Sequence, residues 1–324
     1  RLKSNFDVLR ETVVYKKFLK DPWALLSAIY IFCMVLMAIF AYQIAPDNTS
    51  NANQMHLSIH SKPPGFKVKV LVLKSNYYPS NKSSFFSGEI NKTLEIPIQD
   101  YKIRSDGAEI QPYGSTTDYF EFIEASKLQS PLTESSFKKQ HLKEKKFLLG
   151  TDKYGRDMLS RLIIGSRISL SVGFIAVFIS LLIGIFLGTL AGFYGGYLDK
   201  GIVWLINVFW SIPTLLIVIA ITLALGRGFW QVFIAVGLTM WVEVARVVRG
   251  QVLSLKEKTF VKAAQTLGYG QIRIIRHHIL PMLIPPLIVI SAANFASAIL
   301  IESGLSFLGI GTQPPVPSWG GMVK

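Results

Sequence analysis

The chain has 324 residues, half of them hydrophobic, and only 17% are charged, against roughly 25% in an ordinary soluble domain. With a mean hydropathy of +0.39 and its apolar residues clumped, it is excluded from the class of plain soluble enzymes, although its length alone would suit two domains of ~150 residues. The single cysteine, Cys33, excludes a disulfide framework and any cysteine-based metal site, and the net charge of +14 points, in a membrane chain, to positive cytoplasmic loops rather than to nucleic acid.

A membrane helix needs ~20 mostly apolar residues to cross a hydrocarbon core of ~30 Å. Five uncharged stretches come near this: 22–46, 168–198, 201–226, 228–242 and 279–301. The first is too long for a signal-peptide core and no small-residue cleavage pattern follows it, so it is expected to be an uncleaved anchor. Arg1, Lys3, Arg10, Lys16, Lys17 and Lys20 precede it, which predicts a cytoplasmic N-terminus. The second exceeds one straight span, so part of it is expected at an interface. Pro213 is expected to kink or interrupt the third. The fourth is short and reaches across only with Glu243 and Arg246 at the headgroups.

Alternation then sets the topology. Residues 47–148 form an extracytoplasmic insert, 199–200 a short cytoplasmic turn, and Gly226 to Gly228 an outward hairpin. The stretch 243–278 is cytoplasmic and carries Arg246, Arg249, Lys256, Lys258, Lys262, Arg273 and Arg276 against Glu243 and Glu257, as the positive-inside rule expects. Within the insert, Phe66 to Val72 and Thr93 to Arg104 alternate in the manner of strands, with Asn, Ser and Pro clusters between them. A small β-rich domain is predicted there. His56 and His60, four residues apart, lack a third ligand candidate and are expected to be a solvated loop pair rather than a zinc site.

No Gly-x-x-x-x-Gly-Lys-Ser/Thr phosphate loop is present, so the chain itself should not bind ATP. No nucleophilic triad is suggested either, which leaves a membrane-anchored enzyme without a catalytic constellation. A secondary transporter or channel would place ionisable residues within its spans. Glu243 and Glu302 are expected only at span ends, which disfavours that class.

The segment Thr259 to Pro281 predicts a short helix, a tight turn at Gly268 and Gly270, and a second helix before the last span. Phe260, Val261, Ala264 and Leu267 are expected on one apolar face, and Ile272, Ile275 and Ile279 on another, with Arg273, Arg276 and His277 turned away. Small side chains at Ala263 and Ala264 would admit a close neighbour. Periodicity alone fits a docking loop and an ordinary interfacial amphipathic loop equally. Upstream, Asp152 is expected to cap a surface helix with Met158, Leu159, Leu162 and Ile163 on its apolar side. Gly184, Gly188 and Gly192 recur every four residues and allow close helix packing, within the chain or against a partner. Downstream, the Pro314-Pro315-Val316-Pro317 run must be irregular. It is expected near the outer mouth of a path, or equally as a structural cap, with Trp319 at an interface.

The segment with Ala263, Ala264, Gly268, Leu280 and Pro281 resembles the coupling loop of ABC importer permeases, with Lys262 where the family usually carries Glu. Residues 149–172, with Asp152, Gly155, Arg156 and Asp157, and residues 304–321, with Pro314, Pro315 and Trp319, are similar to signatures of the dipeptide and oligopeptide subfamily, in its C-type subunit. The resemblance implies an all-α polytopic membrane protein of the type I importer permease fold, here with the small β-rich insert. The organisation is then a first helix within 1–46, the insert 47–148, and a permease core over 149–324 with spans two to five. A sixth span is implied after the Trp319 segment and lies outside this sequence. Also implied are a multi-pass location in the inner membrane and peptides as cargo. The implied partners are a second homologous permease, two cytoplasmic ATPases holding ATP and Mg at their own sites and docking on 251–281, an external substrate-binding protein, and membrane lipid. No cofactor would sit on this chain, and nucleic acid is not implied.

Overall fold

In the computed structural model, residues 13–74, 88–89, 93–104, 106–115, 119–124, 134–226 and 228–323 are described. Arg1, Lys3 and Arg10 of the basic N-terminal cluster, and the Lys16 side chain, lie outside them. The chain divides into two compact units, 1–167 and 168–324.

The first unit begins with helix α1 (Val13–Lys20) and helix α2 (Pro22–Ile39). Asp21 caps α2, its carboxylate accepting from the Trp23 and Ala24 amides, and Pro22 stands where a helix needs no donor. The apolar residues of α2 remain exposed in the isolated chain, as a lipid-facing helix requires. A short helix α3 (Ala41–Ile44) leads into the region 47–148.

There, β1 (Phe66–Lys74), β2 (Thr93–Ile103), β3 (Gly107–Pro112), β4 (Glu121–Glu124) and β5 (Leu142–Phe147) form one antiparallel sheet in the order β4-β3-β2-β1-β5. The two segments read as strands are β1 and β2, and they pair with Lys69 opposite Ile98 and Lys74 opposite Thr93. Period-two alternation splits the apolar residues between two faces. One face carries Leu71, Leu73, Ile98 and Ile110 and is covered by Phe137 of helix α4 (Glu134–His141). The other carries Val68, Val70 and Phe147 with Ile59.

Helix α5 (Met158–Tyr194) runs unbroken for 37 residues, about 55 Å at the helical rise. The expectation of a separate surface helix feeding span two is therefore corrected: the apolar stretch is long because one continuous helix passes through it. The expected turn at 199–200 is also corrected. The chain reverses at Gly195 and Gly196, both at positive φ, and Asp199 and Lys200 lie inside helix α6 (Gly196–Trp210).

Helix α7 (Thr214–Leu225) follows Pro213 and meets α6 at 91°. Pro213 lacks the donor that would continue the ladder, so the interruption expected there occurs. Helix α8 (Phe229–Lys256) then runs for 28 residues. The helix therefore does not end with the uncharged stretch 228–242 but continues through Glu243 and Arg246.

After helix α9 (Thr259–Thr266) comes α10 (Gln271–Ile274), continued by a π-helical turn at Ile275–Ile279 and helix α11 (Leu280–Phe307). A four-residue helix α12 (Trp319–Met322) closes the described chain. Among the described residues, four helical segments are long and apolar enough to cross a membrane: Pro22–Ile39, Met158–Tyr194, Trp230–Lys256 and Gln271–Phe307. The bent pair α6–α7 makes a fifth if taken as one broken span.

The second unit is organised around α8. Its core joins Phe233 and Val236 to Val172 and Ala176 of α5, Val218 of α7 and Ala298 of α11. A second cluster joins Val244, Val248 and Val252 to Val261 and Ala264 of α9 and to Ile274, Ile279 and Leu283. The glycine repeat of α5 lies against α8. A Cβ at Gly184, Gly188 or Gly192 would stand 2.5, 2.8 or 2.8 Å from the Cβ of Val244, Val248 or Val252. The repeat thus packs within the chain, the first of its two open readings.

Candidate functional site: a helix-turn-helix and two ordered signature segments

The segment Thr259 to Pro281 forms as a helix, a turn and a helix. Helix α9 ends at Leu267, and Gly268 adopts φ +77°. The Gly268 amide donates to the Gln265 carbonyl at 3.0 Å and the Tyr269 amide to the Ala264 carbonyl at 3.1 Å. That double closure satisfies the last carbonyls of α9 and needs a left-handed residue after the helix cap. No neighbour lies within 4 Å of where a Gly268 Cβ would be, so backbone strain, not crowding, selects glycine.

Val261 and Ala264 turn inward, but Phe260 is 42% exposed and Leu267 73% exposed. The single apolar face expected for these four residues is therefore split. On the second helix Ile274 and Ile279 are buried and Ile272 is 77% exposed. The expected face of Ile272, Ile275 and Ile279 is rotated, and Ile274 takes the inner position. The π-helical turn at 275–279 adds a residue to one turn and shifts the register that the 3.6-residue pattern assumed.

Ala263 is exposed beside the buried Ala264. Lys262 pairs with Glu257 at 2.8 Å on the surface, and this contact holds the Glu257 carboxyl below its usual range. Leu280 is half-buried, and Pro281 lies in the first turn of α11, where its missing donor costs nothing. The His278 ring lies 6.3 Å from that of Tyr269 and 6.5 Å from that of Phe260. The result is an exposed edge of Phe260, Leu267, Tyr269 and Ile272, fixed at the junction of two membrane-length helices.

On the first unit, Asp152, Gly155, Arg156 and Asp157 come together. Asp152 is not the helix cap expected of it. Its carboxylate accepts from the Tyr154 and Arg156 amides and from Arg156 Nε at 2.8, 2.9 and 2.7 Å, with Arg161 Nε at 3.7 Å. Asp157 takes the capping role instead, accepting from the amide and hydroxyl of Ser160. A single-residue cap signal misplaced the helix start because two aspartates, Asp152 and Asp157, precede it and only the second adjoins it. Arg156 Nη1 reaches Asn53 Oδ1 at 3.2 Å. Gly155 has φ +72°, and a Cβ there would run into the His56 carbonyl oxygen. Residues 56–62 thereby lie on 151–156, through His56 N to Tyr154 O at 3.1 Å and Ser61 N to Asp152 O at 2.9 Å.

His56 is buried with Nε2 3.6 Å from Glu95 Oε2, while His60 is exposed. The solvated His pair is thereby corrected, since the sheet covers His56. Lys145 Nζ donates to Glu95 Oε2 at 2.7 Å and to Gln54 Oε1 at 2.8 Å. Burial alone would raise the Glu95 carboxyl, but His56 and Lys145 lower it from 4.5 to about 2. At 3.6 Å the His56 contact is long for a hydrogen bond, so the Lys145 contact carries the larger share. Sequence spacing could not reveal this trio, which joins residues 50 positions apart.

On the second unit, the irregular run 308–318 ends where Ser318 Oγ accepts from the Gly321 amide and shares a hydroxyl–hydroxyl hydrogen bond with Thr312 Oγ1 at 2.8 Å. Thr312 Oγ1 and Ser306 Oγ both donate to Glu302 Oε1, at 3.2 and 2.6 Å. Pro314 and Pro315 are exposed, and the half-buried Trp319 donates its amide to Ser169 Oγ at 3.3 Å. Glu302 is fully buried, in the last turns of α11. Sequence reading assigned no role to Glu302, Ser306, Thr312 or Ser318.

Residues 184–324 match the family of binding-protein-dependent transport system inner membrane components, and residues 12–64 match the N-terminal TM domain of oligopeptide transport permease C. The chain is similar to the dipeptide transport system permease protein DppC of Alkalihalophilus pseudofirmus, 38% identical over 66% of this chain and 66% of the relative. It is also similar to the oligopeptide transport system permease proteins OppC of Bacillus subtilis, 39% identical over 54% and 57% of the two chains, and of Escherichia coli K12, 43% identical over 54% and 58%. The matched part spans less than two thirds of each of these relatives. An inward-facing MetNI methionine ABC transporter structure overlaps 48% of this chain and 77% of its own at 21% identity, with a TM-score of 0.43. The chain belongs to the binding-protein-dependent inner membrane permeases, in their dipeptide and oligopeptide branch.

Proposed function

We propose that the chain is the transmembrane subunit of an ATP-driven importer and forms part of the path by which peptides cross the inner membrane. The carrying observation is the exposed helix-turn-helix at 259–279, held rigidly between α8 and α11. Lys262, Ala263, Ala264, Gly268, Leu280 and Pro281 belong to this coupling element. Two ATPases, holding ATP and Mg at their own sites, dock on 251–281, and a second permease completes the path. The N-terminus is cytoplasmic, and residues 47–148 form an extracytoplasmic domain, where an external binding protein delivers cargo. Asp152, Gly155, Arg156 and Asp157 order the entry to α5, while Pro314, Pro315 and Trp319 belong to the outer mouth of the path.

Replacing Gly268 with valine tests the coupling role. A β-branched residue at φ +77° costs about 1–3 kcal/mol of backbone strain, enough to reshape the turn but not to unfold the spans. Membrane insertion and subunit assembly are expected to persist, while ATP-linked peptide uptake in reconstituted vesicles is lost. Normal uptake by the variant would refute the coupling assignment.

A further inference from the structure

Helix α8 presents an acidic and a basic residue on one face within a membrane-length segment. Glu243 and Arg246 are three residues apart, so they project to the same side, and both are exposed in the chain. Ionisable groups on membrane-length helices are rare, and those that persist mark partners or cargo pathways. Glu243 makes no hydrogen bond or ion pair with any described residue. Arg246 does not neutralise it. The guanidinium carbon lies 3.3 Å from the centre of the Trp210 ring, and Nη2 lies 3.4 Å from Asn207 Oδ1.

Glu243 opens onto a cavity of about 350 Å³, lined also by Trp210, Thr214, Thr239, Ser297 and Ile301. That volume lies within the range of small-molecule sites. The cavity exists because Pro213 breaks the third span: α6 and α7 diverge by 91° and leave the flank of α8 uncovered. Its walls are apolar and aromatic, with threonine and serine hydroxyls, one unpaired carboxylate, and a guanidinium held beside it on Trp210.

We propose that this cavity is a binding station for the free α-ammonium end of a short peptide. Glu243 receives the ammonium, and Arg246 on Trp210 supplies the complementary charge for the peptide's carboxylate. An amino group answers the site's one unmet demand, a cationic donor to a carboxylate in a low-dielectric wall. A peptide also carries the opposite charge that Arg246 requires. The inference rests on the peptide-import reading and deepens it, and the following experiment separates the two.

In the assembled transporter with Cys33 replaced by serine, Ser297→Cys places a thiol on the exposed cavity wall. An unblocked dipeptide is expected to slow maleimide labelling of that thiol, its N-acetylated counterpart to leave the rate unchanged, and Glu243→Gln to abolish the protection. In vesicle uptake, unblocked peptide is expected to exceed the N-acetylated form by about tenfold, the scale of one charge-assisted hydrogen bond, and Glu243→Gln to bring that ratio near one. Equal protection by both dipeptides, an unchanged uptake ratio in Glu243→Gln, or failure of the Glu243→Gln complex to assemble would overturn the station. The last result would identify Glu243 as a contact to the second permease. A wild-type complex that moves neither peptide refutes the import reading, and the labelling result still decides the cavity.

Discussion

The seam between α5 and α8 gives a quantitative test of the second unit's packing. At Gly188 a Cβ would lie 2.6 Å from the Ala245 carbonyl oxygen and 2.8 Å from the Val248 Cβ, whereas ordinary contact begins near 3.4 Å. The nearest atoms are backbone and a β-carbon, neither of which can rotate away. Alanine therefore requires the helices to part by somewhat under 1 Å. A radial gap of ~0.5–1 Å forfeits a quarter to a half of each affected dispersion contact, and overpacking costs about 1–3 kcal/mol. The folded population relative to the unfolded one should fall by roughly 5- to 150-fold, since about 1.4 kcal/mol is tenfold. Gly184→Ala and Gly192→Ala meet the same obstacle, one turn before and one turn after it on the helix pair. Once the first substitution has separated the helices, the second and third meet less resistance, so the three costs should sum to more than the triple variant shows. Gly250→Ala is the internal control: no atom lies within 4 Å of its Cβ position, and alanine gains up to about 1 kcal/mol of helix propensity. The assay is reversible denaturation of the purified chain in mixed micelles, read by tryptophan fluorescence. If Gly188→Ala and Gly250→Ala unfold at the same denaturant fraction, or if the three glycine costs add, the close approach of α5 to α8 is wrong.

Other consequences follow from the first unit. Glu95 is held at about 2 rather than 4.5, so its contribution is fully present above pH 4.5 and disappears as pH falls towards 2. That contribution amounts to about 3 kcal/mol at neutral pH. Lys145→Met should remove most of it and move the acid-induced loss of β1–β5 amide protection to higher pH. Unchanged hydrogen exchange between pH 3 and 7 would refute the Lys145 assignment. Asp152→Asn leaves the buried Arg156 and Arg161 guanidiniums, 6% and 7% exposed, without their principal counter-charge. A loss of about 3–5 kcal/mol is expected, with faster proteolysis at residues 53–62, and a variant as protease-resistant as the parent would show that Asp152 is not the hub.

How much of this was legible in the sequence depends on whether the signal is local. The strands 66–74 and 93–103, the break at Pro213 and the turn at Gly268 follow from period-two alternation, a missing donor and a left-handed backbone. Each is a property of a few consecutive residues. The partners of Glu95, the roles of Asp152 and Asp157, and the inward rotation of Ile274 were not legible. They depend on which distant segment arrives, or on a single extra residue in a π-helical turn. The glycine repeat was legible as a packing motif but not in its partner, because glycine spacing records close approach without naming the other surface.

The least legible feature was the position of Glu243, and the reason is general. Counting uncharged residues ends a span at the first charge, so stretch 228–242 was expected to stop short with Glu243 at the headgroups. A helix, however, is continued by backbone hydrogen bonds and flanking packing, not by the polarity of one side chain. In α8, Val244, Val248 and Val252 bury the side facing Gly184, Gly188 and Gly192, and the bidentate Asp199–Arg249 pair, at 2.5 and 2.7 Å, ties α6 to the same helix. Both supports lie beyond Glu243 in sequence, so the helix cannot end there, and the charge is carried along it on the opposite, exposed side. Hydropathy thus treats as a boundary a residue that packing places well within the helix. A charge with no partner among the described residues, on the flank of α8 beside the broken third span, is where a ligand for that charge belongs.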